Sequence, residues 1–441
     1  VTLDAKRARL LGRLGDVHDG ELRVGGHPVS ALAARVGTPY FVYRGEVVLE
    51  QVQALRTHLG PETAIYFSLK ANPSLGLCQL LREAGVGAEL ASIGELRLAQ
   101  AAGFAPGDVL FAGPGKTTAE LEAAVAWGLG AVNVESLGEL ARLAAVARAR
   151  GRRQRVCLRL NPLEQVKGAQ MRMAGGPTQF GLDEELLEAA VRACREAADA
   201  VELVGLHVYV GSQMTDVEAV LAHCENVLRL GEAMAALGVE VQVVDLGGGF
   251  GLPYFEGSPE FDLEAFGRGY RERVVPRARR TLPRAQLVIE LGRYLMAEAG
   301  LYVTRVVDVK QSRGTTFVVT DGGMNHHITA TGNFGQVFRK AYPVANVSRL
   351  GEAAAQPVSL VGPCCTPLDQ WGQKLGLVPP REGDLLGVCF SGAYGYSASS
   401  LGFLSHPTPA EVLVHDGRVH VLRDGGAEDA VVVSQRPLAR G

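Results

Sequence analysis

The sequence contains no Cys-x-x-Cys pair, and its seven cysteines are scattered and odd in number. This argues against a zinc site and a disulfide framework, and it fits a reduced, cytoplasmic protein. Cys364 and Cys365 are adjacent and cannot form a routine bridge with each other. No apolar run reaches the roughly 18 residues that a membrane-spanning helix needs, and no signal-peptide pattern opens the chain. A formal charge of only −3 leaves no electrostatic footprint for nucleic acid. What remains is an ordinary soluble balance, 47% hydrophobic and 21% charged. A length of 441 residues is too long for one ordinary domain and predicts two, or three if small.

From about residue 65 to 295, β-rich runs alternate with helical stretches. The runs are "AIYFSL", "GAELAS", "VLFAG", "AVNVES", "VCLRLNP", "LVGLHVYV", "VQVVDL" and "LVIEL", eight in all. Ala/Leu/Arg/Glu-rich segments such as "TTAELEAAVAWG" separate them. Eight alternations predict an α/β fold, a (β/α)8 TIM barrel, over residues 37–298. "ASIGEL" after one run is echoed by "ESLGEL" two units later, each with a serine placed to cap a helix. Past residue 300 the helical pattern stops. "LYVTRVVDV", "TTFVVTDGG", "PVSLVGP", "DLLGVCF", "AEVLVHDG" and "RVHVLRDGG" read as strands with Gly/Asp turns. They predict a C-terminal all-β domain, Greek-key-like, over 299–441. The strand-like "GELRVGG" (20–26) lies outside the barrel count, so residues 1–36 are expected to join the β domain. The closing "SQRPLARG" reads as a frayed tail.

In such barrels the active site lies at the C-terminal ends of the strands. Those ends carry Lys70 (in "YFSLKANP"), Glu89, Glu135, Arg159, His207 with Tyr209, Asp245 before Gly247, Gly248 and Gly249, and Glu290 before Gly292 and Arg293. Each has a plain alternative. A lysine at a strand end can simply snorkel to water. Three glycines can mark a tight turn, and Glu290 can pair with Arg293. Yet glycines also let backbone N–H groups approach an anion, and a carboxylate can hold a pyridine nitrogen protonated. One cofactor, pyridoxal 5'-phosphate, accounts for the whole set: the lysine takes its aldehyde, glycines and arginine its phosphate, and the carboxylate its ring.

With these residues, "SLKAN", "AELASIGEL", "LHVYVGSQ", "DLGGGFG", "ELGRYL", "GPCCTPLD" and "SGAYG" resemble, in order and spacing, the fold-type III pyridoxal phosphate decarboxylases. That family includes diaminopimelate and ornithine decarboxylases. The resemblance spans nearly the whole chain and implies a homodimer whose active sites are each completed by the partner's β domain. It makes Lys70 the Schiff-base lysine and Cys365 the cysteine that returns a proton after carbon dioxide leaves. It gives Ser212, Gly248, Gly249, Gly292, Arg293 and Tyr394 to the phosphate, Glu290 to the pyridine nitrogen, and Glu89 to the vicinity of the cofactor, with Glu95 in register. Asp369 matches the acid that closes its motif.

The departures narrow the substrate. Tyr209 stands where the family stacks a histidine on the ring, and His207 lies two residues earlier, which leaves the role of His207 open. Thr366 replaces an acid that meets the distal ammonium of diamines. "DGGMNHHITATGNFGQVF" replaces the Arg-Pro-x-Leu-Tyr grip on a distal carboxylate. Arg172 or Arg339 could supply a charged grip instead. Adjacent His326 and His327 suit a substrate-facing or hydrogen-bonding role better than a metal, and no metal site is expected. "VYVGSQ", "RMAGGPTQFGLDEE", "ELGRYLMAEAGLYVTRV", "DGGMNHH" and "CTPLD" are similar to a narrower branch. Some of its members decarboxylate an amino acid held as a thioester on an acyl carrier protein, as in butirosin biosynthesis. Thr366, Asp369, His326 and Arg172 are then the expected substrate contacts. The expectation is an α-decarboxylase of a carrier-linked glutamyl, aspartyl or methylaspartyl group. A decarboxylase of a free amino acid and a catalytically inactive regulatory relative are the alternatives.

Overall fold

The computed structural model describes residues 3–164, 171–172, 176–255, 257–334, 340–352 and 356–438. The chain forms two compact units. One comprises Leu49–Leu252 and Pro259–Tyr294. The other comprises Val1–Val48, Pro253–Ser258 and Leu295–Gly441.

The first unit is a closed parallel barrel. Its strands are β1 (Thr63–Ser68), β2 (Gly87–Leu90), β3 (Val109–Phe111), β4 (Ala131–Val134), β5 (Gln154–Asn161), β6 (Val201–His207), β7 (Val243–Gly248) and β8 (Gln286–Leu291). Each pairs in parallel with the next, and β8 pairs with β1 to close the ring. The eight runs read from the sequence are these strands. Strands covered on both faces need apolar residues on both, hence the unbroken burial of "AVNV" and "VLF". Leu110, Ala131, Cys157, Val204 and Val288 pack together with Ala64, Tyr66 and Val243, drawing on seven of the eight strands. The barrel centre is therefore a filled core and the rim is left for chemistry. Both echoed serines are N-caps: Ser92 accepts from the Glu95 N–H and Ser136 from the Glu139 N–H.

The second unit is built on the long strand Gly300–Ser312. It pairs antiparallel with Thr315–Thr320, Leu385–Val388 and Tyr40–Arg44. Gln356–Val361 and Gln370–Leu377 extend the sheet on one side, and Ala410–His415 and Arg418–Arg423 on the other. Tyr40–Arg44 thus lies in this sheet, and the barrel unit opens at Leu49, whereas the sequence reading opened it at residue 37. A "YFVYR" strand buried at its first four positions has no alternation to reveal its partner. The strand-like 20–26 segment forms a small meander, Gly15–His18, Glu21–Val24 and His27–Pro28, within this unit. Helix Leu3–Leu14 precedes it, a helix the sequence reading did not include. Arg9 and Arg13 of that helix pair with the buried Glu298. Among the described residues no helix is long and apolar enough to cross a membrane.

Candidate active site

Lys70 sits in a short turn, Leu69–Ala71, directly after β1. Its side chain is 46% exposed, and its Nζ lies 3.2 Å from Glu89 Oε2, which is buried on β2. Burial pushes the Glu89 carboxyl up, and the Lys70 ammonium pulls it part of the way back. Nζ is also 5.9 Å from the centre of the Tyr209 ring. The structure therefore brings Lys70, Glu89 and Tyr209 together at one rim.

The neighbouring strands supply the other half. His207 ends β6 in register with Asp245 on β7. Its Nε2 lies 3.3 Å from Glu290 Oε2 on β8, with both side chains almost fully buried. Asp245 Oδ1 accepts from the Gly247 N–H at 2.9 Å. Burial would raise Glu290, but the imidazole of His207, then Asp245 and Lys70, hold it below the usual carboxylate range. Asp245 goes the other way: burial and the Glu290 charge push it well up. Two acids side by side in the same dry space cannot both ionise freely, and their surroundings favour the charge on Glu290 over Asp245.

The glycines are required by geometry. Between Asp245 and Gly248 the β7–β8 register shifts, and Gly247 (φ +64) and Gly249 (φ +88) take left-handed conformations. A Cβ on Gly248 would stand 1.9 Å from the Glu290 carbonyl oxygen, and one on Gly249 2.1 Å from that of Gly211. Gly292 meets Ala71 Cβ at 2.8 Å in the same sense. Arg293 follows, opening the short helix Arg293–Met296. Ser212 Oγ and Glu290 Oε1 are buried with no hydrogen-bond partner among the described residues. A buried hydroxyl beside a glycine cradle suits a phosphate, and an unpaired buried carboxylate oxygen suits a ring N–H. The residues present fit pyridoxal phosphate.

Glu135 and Arg159 are also at the rim, but they are taken up with each other at 2.8 Å. Glu135 also accepts from the Gly113 and Gly181 N–H groups. Behind them Lys116 and Glu139 form a buried ion pair at 2.8 Å. Lys116 donates as well to the carbonyls of Gly113 and Asn133. This network stiffens the rim over β3–β5.

The remaining expected residues, Arg172 apart, lie in the β unit. Cys365 is exposed beside a buried Cys364. Thr366 Oγ1 accepts from the Leu368 N–H and shapes the turn. Both Asp369 oxygens are engaged, accepting from the Met324 and Cys364 N–H groups at 2.7 and 2.8 Å. Asp369 thus clamps the "DGGMN" loop to the cysteine loop. His326 is likewise occupied: Nδ1 meets the Tyr302 hydroxyl, and Nε2 the Pro407 carbonyl and Asn325 amide. Burial lowers its pKa to about 4. Of the two roles expected for His326, hydrogen bonding is the one its surroundings account for. His327 bonds Ser391 and Thr329. Tyr394 has φ +55, a strained conformation for a tyrosine and one that concentrates at functional positions. Its carbonyl accepts from Thr329 Oγ1. Arg172 is described by its backbone, which pairs with Gly211; its side chain and Arg339 lie outside the described residues. Asp245 is the participant to which the sequence assigned no task. Its register with His207 on parallel strands was the available signal.

A parallel barrel with a lysine just after β1, an acid on β8 and a glycine cradle at the end of β7 defines a class, that of barrel enzymes built for a phosphorylated carbonyl cofactor. Comparison with known proteins identifies the family. Residues 46–297 match the pyridoxal binding domain of pyridoxal-dependent decarboxylases. An L-glutamyl-[BtrI acyl-carrier protein] decarboxylase of Niallia circulans is 36% identical over 411 residues, covering 92% of this chain and 96% of that protein. The diaminopimelate decarboxylase of Aquifex aeolicus is 32% identical over 424 residues, 95% of this chain and 96% of its own. The crystal structure of a diaminopimelate decarboxylase from M. jannaschi superposes with a TM-score of 0.88 at 25% identity, over 97% of this chain and 99% of that one. The chain belongs to the pyridoxal-dependent decarboxylase family, and it is a carboxy-lyase that uses pyridoxal phosphate.

Proposed function

We propose that the protein removes the α-carboxylate of an acidic amino acid, glutamyl, aspartyl or methylaspartyl, tethered as a thioester to an acyl carrier protein in secondary-metabolite biosynthesis. The observation that carries this reading is the 36% identity, over 92% of the chain, to an L-glutamyl-[BtrI acyl-carrier protein] decarboxylase. The chemistry of Thr366 supports it. A neutral hydroxyl offers no counter-charge to a distal ammonium, and a thioester needs none.

In this reading Lys70 anchors the cofactor aldehyde. Ser212, Gly248, Gly249, Gly292, Arg293 and Tyr394 hold its phosphate, Tyr209 covers its ring, and the Glu290 carboxylate accepts the pyridine N–H. When bound, pyridoxal phosphate supplies an electron sink for the pair released as carbon dioxide departs. Glu89, 3.2 Å from Lys70 Nζ, keeps the ammonium paired while the lysine is free and steers its proton. Cys365, on an exposed turn, delivers a proton to the α-carbon from the partner subunit of a homodimer.

The relatives acting on diaminopimelate favour a free amino acid as the second reading. Carbon dioxide release separates the two. Free glutamate, aspartate, lysine, ornithine and diaminopimelate are compared with the matching carrier-protein and pantetheine thioesters. Tethering should raise kcat/KM at least tenfold. Efficient turnover of a free amino acid, with no gain from tethering, would leave only the general decarboxylase activity.

A further inference from the structure

His207, Asp245 and Glu290 come from three successive barrel strands, and their ligating atoms all lie within 4.8 Å of one another. All three side chains are nearly or wholly inaccessible. Neither ring nitrogen of His207 has an aligned hydrogen-bond partner among the described residues, and the same holds for Asp245 Oδ2 and Glu290 Oε1. This cluster carries chemistry without the usual saturation of buried polar groups.

We propose that His207 is a positioning residue: its imidazole, 3.3 Å from Glu290 Oε2, keeps Glu290 charged while Asp245 stays neutral as the third member. The proposal rests on the reading in which Glu290 accepts the pyridine N–H, and it assigns to this chain the device that holds Glu290 ready for that task. Two carboxylates and an imidazolium, all ionised, would leave a net negative charge in a dry space, so one acid must keep its proton. The asymmetry of position decides which one. Glu290 has the nearest approach to His207, and it also feels Lys70. Asp245 is tied instead to a backbone N–H of its own loop. The surrounding charges favour the same division: His207 holds Glu290 down, while burial and the Glu290 charge push Asp245 up.

The other titratable groups near His207 do not replace it. Glu89, from β2, is a further buried acid that faces the cluster and feels Glu290, but burial raises it and Lys70 is its nearest partner. His223, on helix Val217–Ala236, donates its Nε2–H to the Leu246 carbonyl and is held neutral by burial, its pKa lowered to about 4. Lys70 is partnered by Glu89. Without His207, Glu290 would face burial with only Asp245 and the weaker pull of Lys70 in its favour, and it would take up a proton. A protonated carboxyl cannot stabilise a protonated ring nitrogen.

The test reads the charge of Glu290 directly, in protein freed of cofactor. Infrared difference spectra are recorded in an Asp245→Asn background, so that Glu290 is the sole carboxyl of the cluster. The Asp245→Asn protein is compared with Asp245→Asn/Glu290→Gln, and the same pair is then made with His207→Phe. The first difference should show an ionised carboxylate at neutral pH, and the second a protonated carboxyl. His207→Gln keeps an N–H donor without the charge, and it should behave as His207→Phe does. It also serves if the phenylalanine variant does not fold. An ionised Glu290 in a folded His207 variant, or a protonated one with His207 present, overturns the proposal. A second measurement isolates the reading beneath it. The apo-protein should bind pyridoxal phosphate at least tenfold more tightly than its 1-deaza analogue, and His207→Phe or His207→Gln should bring that ratio near one. No preference with His207 present, alongside the expected infrared result, refutes the assignment of Glu290 to the ring nitrogen and leaves the His207–Glu290 link standing.

Discussion

Replacing Gly249 by alanine tests the cradle at its tightest point. Gly249 has φ +88, and an added Cβ would lie 2.1 Å from the Gly211 carbonyl oxygen, roughly an ångström or more inside ordinary contact. A left-handed alanine costs about 1–2 kcal/mol, and overpacking against backbone adds about 1–3 kcal/mol. The backbone cannot yield freely. Gly249 accepts from the Met214 N–H, Met214 accepts from the Gly251 N–H, and Ser212 is held in a ladder with Met171. A loss of about 2–5 kcal/mol in apo-protein stability follows. Any yielding moves Ser212, so pyridoxal phosphate affinity should fall tenfold or more, about 1.4 kcal/mol. Gly128→Ala is the control. Its φ is +78, but the nearest atom, on Arg152, is 3.7 Å away, so it should show the backbone cost of about 1–2 kcal/mol alone. Urea unfolding and fluorescence titration of the apo-protein measure both quantities. If Gly249→Ala matched Gly128→Ala in stability and the wild type in affinity, the steric argument and the cradle would both fail.

Three further outcomes are expected. Borohydride reduction of the loaded protein, followed by peptide mass mapping, should place the pyridoxyl group on Lys70; a label on another lysine would overturn the anchor assignment. Lys116→Met should destabilise the barrel by about 3–5 kcal/mol, because it strands the buried Glu139 charge. The sign of its pH dependence is fixed. The folded Glu139 pKa is raised by burial, and more so without Lys116. Stability is then fullest below the unfolded value of about 4.3 and is lost as pH rises toward the folded value. Denaturation from pH 4 to 8 that shows the opposite slope contradicts this. Finally, Lys70→Ala and Cys365→Ala proteins should each be nearly inactive, and their mixture should regain part of the activity if sites are shared between subunits. No recovery despite proven subunit exchange would place each site within one chain.

Much of this was legible in the sequence because parallel strands buried on both faces leave unmistakable apolar runs, and because chemistry at a barrel rim must follow each run. Lys70, Glu89, Glu290 and the three glycines are such cases. Four things were hidden. Strand Tyr40–Arg44 looks like any buried strand, and only pairing assigns it to the β sheet. Helix Leu3–Leu14 gains a fixed place through Arg9 and Arg13 meeting Glu298, almost 290 residues away. Asp369 reads as a site acid from its motif, yet its oxygens serve two backbone N–H groups, a use that depends on loop geometry. The His207–Asp245–Glu290 cluster was divided among three runs, and no single motif showed that they converge.

The most direct test of the central claim is the intact mass of a glutamyl carrier protein before and after incubation with the loaded enzyme. The account predicts a loss equal to one carbon dioxide on the tethered group, absent with Lys70→Ala, and at least tenfold faster than release from free glutamate. A carrier-bound substrate that stays unchanged while a free amino acid is turned over would contradict it.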